Sequence, residues 1–206
     1  MNPYFQQARF IQSATTPATL PPEGGLEIAF AGRSNSGKSS TINRVCSQKA
    51  LARTSKTPGR TQLINFFALP DQACLVDLPG YGYAKVPEQI KLQWQRFIEA
   101  YFIKRTTLAG LILVMDIRRP LTDFDQALLR WAEQRGLAVH IVLNKADKLT
   151  HGAASNTLLQ VKKALAARKI AVSVQLFSAQ NGKGLDVLWA QLESWLGISK
   201  PPQSGA

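Results

Sequence analysis

Gly32, Arg33, Ser34, Asn35, Ser36, Gly37, Lys38 and Ser39 follow one another as G-x-x-x-x-G-K-S, a spacing suited to holding a string of phosphates. The glycines let the backbone wrap so that successive N–H groups point inward at phosphate oxygens. A helix starting at the lysine adds the positive end of its dipole. Lys38 can reach the β- and γ-phosphates, with Ser40 following in the first helical turn. The Ser39 hydroxyl suits Mg²⁺, a hard ion that takes oxygen ligands and keeps several waters.

Two further clusters could complete such a site. Asp77, Leu78, Pro79 and Gly80 end an apolar run, so the Asp77 carboxylate can hold a metal-bound water. Gly80 can offer its N–H to a terminal phosphate, which would make the segment behind it responsive to that phosphate. The same four residues also read as an ordinary turn. Asn144, Lys145, Ala146 and Asp147 end another run and suit one base. The Asp147 carboxylate can accept from both N1–H and the 2-amino group of guanine, whereas adenine would leave it unpaired, and sites built on such hydrogen bonds reject the wrong ligand strongly. Asn144 would brace the loop and the base edge, and the Lys145 stem would lie over the ring. After Phe177, the loop Ser178-Ala179-Gln180-Asn181-Gly182 can supply a backbone N–H to guanine O6.

These residues need a scaffold that brings strand ends together. Short apolar runs rich in β-branched residues occur at Glu27–Ala31, Gln62–Leu69, Cys74–Asp77, Leu108–Asp116, Val139–Asn144 and Val172–Phe177, which predicts six strands. Helical spacing appears in Ile90, Trp94, Phe97, Ile98, Tyr101 and Phe102, in Leu121, Phe124, Leu128 and Trp131, and in Leu185, Leu188, Trp189, Leu192 and Trp195. The four tryptophans read as core. Alternation of this kind predicts an α/β fold, three layers deep, about a mostly parallel six-stranded sheet whose ligand sits past the carboxyl ends of the strands. The proline-rich stretch 1–24 reads as an N-terminal arm, 25–197 as the domain, and 198–206 as a disordered tail.

Composition narrows the partners. Of 206 residues, 25 are Lys or Arg and 13 Asp or Glu, a formal net charge of +12. From Ile28 to Pro70 there is no acidic residue, while Arg33, Lys38, Arg44, Lys49, Arg53, Lys56 and Arg60 are basic. That block reads as facing a polyanion, nucleic acid above all, with a merely solubilising surface as the plain alternative. The longest uncharged apolar run, Leu108 to Met115, falls short of the ~20 residues a membrane span needs. With no secretory h-region at the start, neither spanning nor export is expected. Cys46 and Cys74 show neither disulfide nor zinc-site spacing, and the cytoplasm is the expected compartment.

Phosphate loop, strand-end D-x-x-G, N-K-x-D and S-A in that order predict a GTPase of the translation-factor-related class. The finer resemblance is to the EngB family of bacterial GTPases, also called YihA or YsxC, in the TrmE-Era-EngA-EngB-septin-like class. It rests on Gly32 to Ser40, on Thr57-Pro58-Gly59-Arg60-Thr61-Gln62, on Asn65-Phe66-Phe67, on Asp77 to Ala84 and on Asn144 to Asp147, and covers roughly residues 5–197. The resemblance implies a Ras-like fold, GTP hydrolysis to GDP at a Mg²⁺ site, and a monomer that acts on the large ribosomal subunit or its precursor through rRNA. It also implies a need for the protein in normal cell division and septation. By the same match Gly59, Arg60, Thr61, Gln62 and Leu63 belong to the nucleotide site. Thr61 is then the switch threonine that gives Mg²⁺ a hydroxyl beside Ser39 and Asp77.

Lys38, Thr61, Gly80 and Asn35 are the catalytic candidates. Ras-like enzymes orient the attacking water with a Gln after D-x-x-G, but Tyr81 stands there, so slow intrinsic hydrolysis is expected. Asn35 either holds K⁺ against the phosphates or satisfies a tight turn. His140, inside a strand, and His151, expected in a loop, read as structural. Two other readings compete: a cell-division scaffold whose nucleotide is mainly structural, which lacks the lipidation signals it would need, and an ATP-using P-loop enzyme, which Asp147 opposes.

Overall fold

The structure is a computed structural model that describes residues 1–52, 63–81 and 88–198. Gly59, Arg60, Thr61 and Gln62 of the expected nucleotide site, and the basic Arg53, Lys56 and Lys85, lie outside the described residues, as does the side chain of Trp94.

Among the described residues seven strands form one sheet, β1 (Arg9–Ala14), β2 (Glu27–Gly32), β3 (Ile64–Ala68), β4 (Cys74–Asp77), β5 (Leu108–Asp116), β6 (Val139–Asn144) and β7 (Val172–Leu176), in the order β1-β3-β4-β2-β5-β6-β7. From β4 outward to β7 every neighbour is parallel, while β3 runs antiparallel to both β4 and β1. The α/β class stands. The expected count of six strands is corrected to seven, because residues read as an arm supply β1. That strand pairs with β3 through a register shift between Phe10 and Gln12 and is tied to it by Ser13 Oγ donating to Asn65 Oδ1 at 2.7 Å.

Helices cover both faces. Ile28 and Phe30 point to one side of β2 and Ala29 and Ala31 to the other, as strand pleating requires. The first pair packs with Phe5 of α1 (Pro3–Gln6), Ile42 and Val45 of α2 (Lys38–Val45), and Leu188 and Leu192 of α6 (Leu185–Leu196). The second pair packs with Ile98 and Tyr101 of α3 (Glu88–Lys104), Leu128 and Leu129 of α4 (Asp123–Arg135), and Ala154 and Val161 of α5 (His151–Leu165). His151 opens α5, which corrects the expected loop position. Thr150 caps that helix, its hydroxyl accepting from the Ala153 N–H at 3.3 Å.

A buried ionic knot fastens the sheet at the start of β2. Glu27, 3% exposed, accepts from Arg105 Nη2 at 2.6 Å, from Arg105 Nε at 2.9 Å and from the Tyr101 hydroxyl at 3.0 Å. Arg105 Nη1 reaches on to the Pro21 carbonyl at 2.7 Å. The C-terminal end of α3 is thereby held to the first residue of β2, at the end of the strand opposite the phosphate loop. Among the described residues no helix is long and apolar enough to cross a membrane.

Candidate functional site

The loop after β2 is shaped by close approach. At Gly32 a Cβ would lie 2.6 Å from both Ser36 Oγ and the Val114 carbonyl, and at Gly37 it would collide with Asn144 Nδ2. Gly37, at φ +95°, also takes a left-handed conformation that glycine adopts without strain. Asn35 has φ 63°, a region asparagine tolerates better than most residues, which accounts for an asparagine here as a turn residue. The Ser36 N–H donates to the Arg33 carbonyl at 2.9 Å. Lys38 opens α2, and the first amides of a helix have no acceptor within it, so those of Lys38, Ser39 and Ser40 form a donor cluster at the positive end of the helix dipole. The Ser36 hydroxyl is buried without a hydrogen-bond partner among the described residues.

Lys38 and Asp77, 9% and 5% exposed, form an ion pair between Nζ and Oδ1, so the end of β4 lies against the start of α2. The Ser34 N–H donates to the Tyr81 carbonyl at 2.7 Å, and Arg33 and Tyr81 form a one-pair parallel bridge. That bridge carries Gly80 alongside the phosphate loop. The Leu78 side chain lies in the core, and its N–H donates to the Phe30 carbonyl at 2.9 Å.

The base-reading residues are joined by Asn144. Its Nδ2 donates to the Ser36 carbonyl at 2.8 Å and its Oδ1 accepts from the Ala179 N–H at 3.0 Å, so one amide spans phosphate loop, β6 and the loop after β7. Lys145 Nζ donates to the Asn35 carbonyl at 2.6 Å and to Asp116 Oδ2 at 2.9 Å. Asp147 Oδ1 accepts from the Ser178 hydroxyl at 2.6 Å, and its Oδ2 lies 3.2 Å from Lys148 Nζ. The Ser178 hydroxyl first, then Lys148, holds the Asp147 carboxyl below its ordinary value. Ala146 N–H donates to the Phe177 carbonyl at 3.0 Å, whereas the Phe177 side chain is core.

Several residues of this site carry no motif. Asp116, at the end of β5, accepts from Arg118 Nη2 at 2.6 Å as well as from Lys145. Burial works to raise its pKa, but the hydrogen bonds from Arg118 and Lys145 outweigh it and keep the carboxyl well below the usual range. Arg44, in the last turn of α2, donates from Nε to the Ala179 carbonyl at 2.7 Å and from Nη2 to the Gln180 carbonyl. Arg44 falls shortly after the phosphate-loop motif, and Asp116 ends an apolar run with no motif beside it.

A phosphate loop on a central strand, an aspartate at the end of its neighbour, and N-K-x-D with S-A at the next two strand ends define a P-loop GTPase. The family described as 50S ribosome-binding GTPase matches residues 27–145. The chain is 52% identical over 198 residues to the probable GTP-binding protein EngB of Nitrosococcus oceani, covering 96% of this chain and 99% of that one. It therefore belongs to the EngB family of GTP-binding proteins and is a GTPase. Its fold is similar to the crystal structure of a probable GTP-binding protein engB, at TM-score 0.68 and 20% identity over 84% of this chain and all of that one. It is also similar to the translation elongation factor SelB of Methanococcus maripaludis, at TM-score 0.61 and 16% identity over 88% of this chain and 36% of that one.

Proposed function

We propose that the chain is a GTP-controlled switch, cytoplasmic and monomeric, that docks on the large ribosomal subunit or its precursor during assembly, with normal division and septation depending on the ribosomes so made. The observation that carries this reading is the acid-free stretch from Ile28 to Pro70. It begins beside the phosphate loop and includes Thr61, so one length of chain combines nucleotide response with affinity for a polyanion. The matching family's description as ribosome-binding supplies the kind of polyanion.

In this reading Lys38 and the first amides of α2 hold the β- and γ-phosphates, and the buried Ser36 hydroxyl has a free donor on the same loop. Asp147, Asn144, Lys145 and a backbone N–H of the Ser178–Gly182 loop hold guanine. Ser39, Thr61 and Asp77 hold Mg²⁺, which neutralises phosphate charge. The donor set fits that ion, since two hydroxyls and one carboxylate leave room for the waters Mg²⁺ retains. Asn35 is proposed as a K⁺ ligand beside the phosphates.

Pelleting with isolated large and small subunits across a KCl series, with a non-hydrolysable GTP analogue or GDP, tests the reading. Binding should favour the large subunit in the GTP form and weaken steeply with salt, log K falling by roughly 0.7 to 0.9 per log[salt] for each phosphate neutralised. Equal binding to both subunits in either nucleotide would reduce the charge to non-specific attraction. Unchanged binding by Arg53→Glu with Lys56→Glu would place the docking surface elsewhere.

A further inference from the structure

Arg44 is fixed at both ends of its role. Its backbone belongs to the helix that Lys38 opens, and its guanidinium donates to two successive carbonyls, those of Ala179 and Gln180. A guanidinium carries rigid, forked donors, so two acceptors one residue apart fix the loop in orientation as well as position. The residue before them is Ser178, fully buried, whose hydroxyl donates to Asp147 Oδ1. The Ala179 N–H is simultaneously fastened to Asn144 Oδ1 at 3.0 Å. The loop is thus held from inside by Asn144 and from outside by Arg44, and Asp147 takes its position from a hydroxyl between those two fastenings.

We infer that Arg44 is a positioning residue for guanine specificity: through the Ala179 and Gln180 carbonyls it seats Ser178, and Ser178 aims the Asp147 carboxylate at the two donors of the base. The inference deepens the reading of Asp147 as the base-selecting residue and rests on it. It makes a directional demand. Loosening Arg44 should cost most for a base that offers Asp147 two donors, and less for hypoxanthine, which lacks the 2-amino group and offers only N1–H.

The test is calorimetry of GDP and IDP binding to the full chain and to Arg44→Ala, Arg44→Lys, Ser178→Ala and Asp147→Ala. Arg44→Ala should lower the preference for GDP over IDP by roughly tenfold, the worth of one hydrogen bond to a charged group. Ser178→Ala should do the same, and Arg44→Lys, which keeps one donor direction, should recover part of the preference. A loss from Arg44→Ala that falls equally on GDP and IDP, or an unchanged ratio, would overturn the inference. Asp147→Ala leaving the wild-type ratio intact would overturn the reading beneath it, and the two failures are distinguishable because they arise in different variants.

Discussion

The Tyr81 hydroxyl lies 2.6 Å from Asp125 Oδ1, so the side chain that follows Gly80 is turned into the core, where its ring stacks on Phe124 with centroids 5.5 Å apart. Burial first, and then the Asp125 carboxylate, push the phenol well above its ordinary pKa. Position after D-x-x-G suggested a group beside the attacking water, whereas the geometry makes it an anchor for the chain carrying Gly80. Tyr81→Phe should therefore change single-turnover GTP hydrolysis by no more than about twofold. Leaving Asp125 short of a donor should lower stability by about 1–3 kcal/mol in urea unfolding. A large loss of hydrolysis at unchanged stability would return Tyr81 to the reaction.

Asp147→Asn should move preference from guanine to xanthine nucleotides, because an amide donor suits the 2-oxo group that xanthine presents. Competition binding with GDP and XDP would show the preference reversed, with GDP weakened by a factor of roughly 10³ or more. Similar wild-type affinities for GTP and ATP would contradict the assignment.

Asn35 gives a solution test of its own. If its side chain holds K⁺, hydrolysis in KCl should exceed that in NaCl, and Asn35→Ala should abolish the difference. Equal rates in the two salts would leave only the turn, for which φ 63° is already sufficient.

His140 carries a pH signature. Its Nε2 lies 2.8 Å from Gln175 Oε1 and its Nδ1 2.7 Å from Ser173 Oγ, while Gln175 Nε2 donates to the Gly184 carbonyl at 2.7 Å. Because the Gln175 nitrogen is committed to a carbonyl, its oxygen faces the imidazole, and Nε2 bears the hydrogen. Burial lowers the imidazole pKa below 6.5. The unfolded chain then binds the proton first, so stability is undiminished above pH 6.5 and is lost as pH falls toward the folded-state pKa. His140→Gln should flatten this part of the curve of unfolding free energy against pH, and an unaltered slope would contradict it.

The knot at Glu27 should make Arg105 costly to replace. Arg105→Met should destabilise by about 3–5 kcal/mol, since it strands a buried carboxylate, whereas adding Glu27→Gln should recover a good part of that loss. Denaturant midpoints report both values. GDP affinity of the folded variants should be unchanged, because the knot sits at the far end of β2.

Where the sequence was legible, one strand and one loop sufficed. The phosphate loop, Asp77 and Asn144 each end an apolar run, and a parallel sheet brings such ends to one edge whatever the order of its strands. The β1 strand escaped because Phe10 and Ile11 are both exposed, at 55% and 50%, so no alternation marks it; its register exists only against β3. α5 escaped because its buried stripe, Ala154, Val161 and Leu165, is thin and small. Arg44 and Asp116 escaped for another reason. Arg44 donates to two backbone carbonyls far along the chain, and Asp116 accepts from Lys145, itself remote in sequence; neither contact leaves a spacing in the sequence.

The placement of β2 also orders assembly in time. β3 and β4 pair antiparallel across a short connection, whereas β2, with the phosphate loop at its end, is clamped between β4 and β5, where Phe30 meets Asp77 on one side and Ile112 on the other. Such distant parallel pairing forms late, since chain closure must precede the contacts that reward it. The guanine loop arrives later still, after β7. A nascent chain therefore gains a complete nucleotide site only once residues through the loop after β7 have been synthesised. Because a ligand that binds only the finished state stabilises it by an amount that grows with the logarithm of its excess, bound guanine nucleotide is expected to shift the folding equilibrium of the entire sheet and not of its own loops alone.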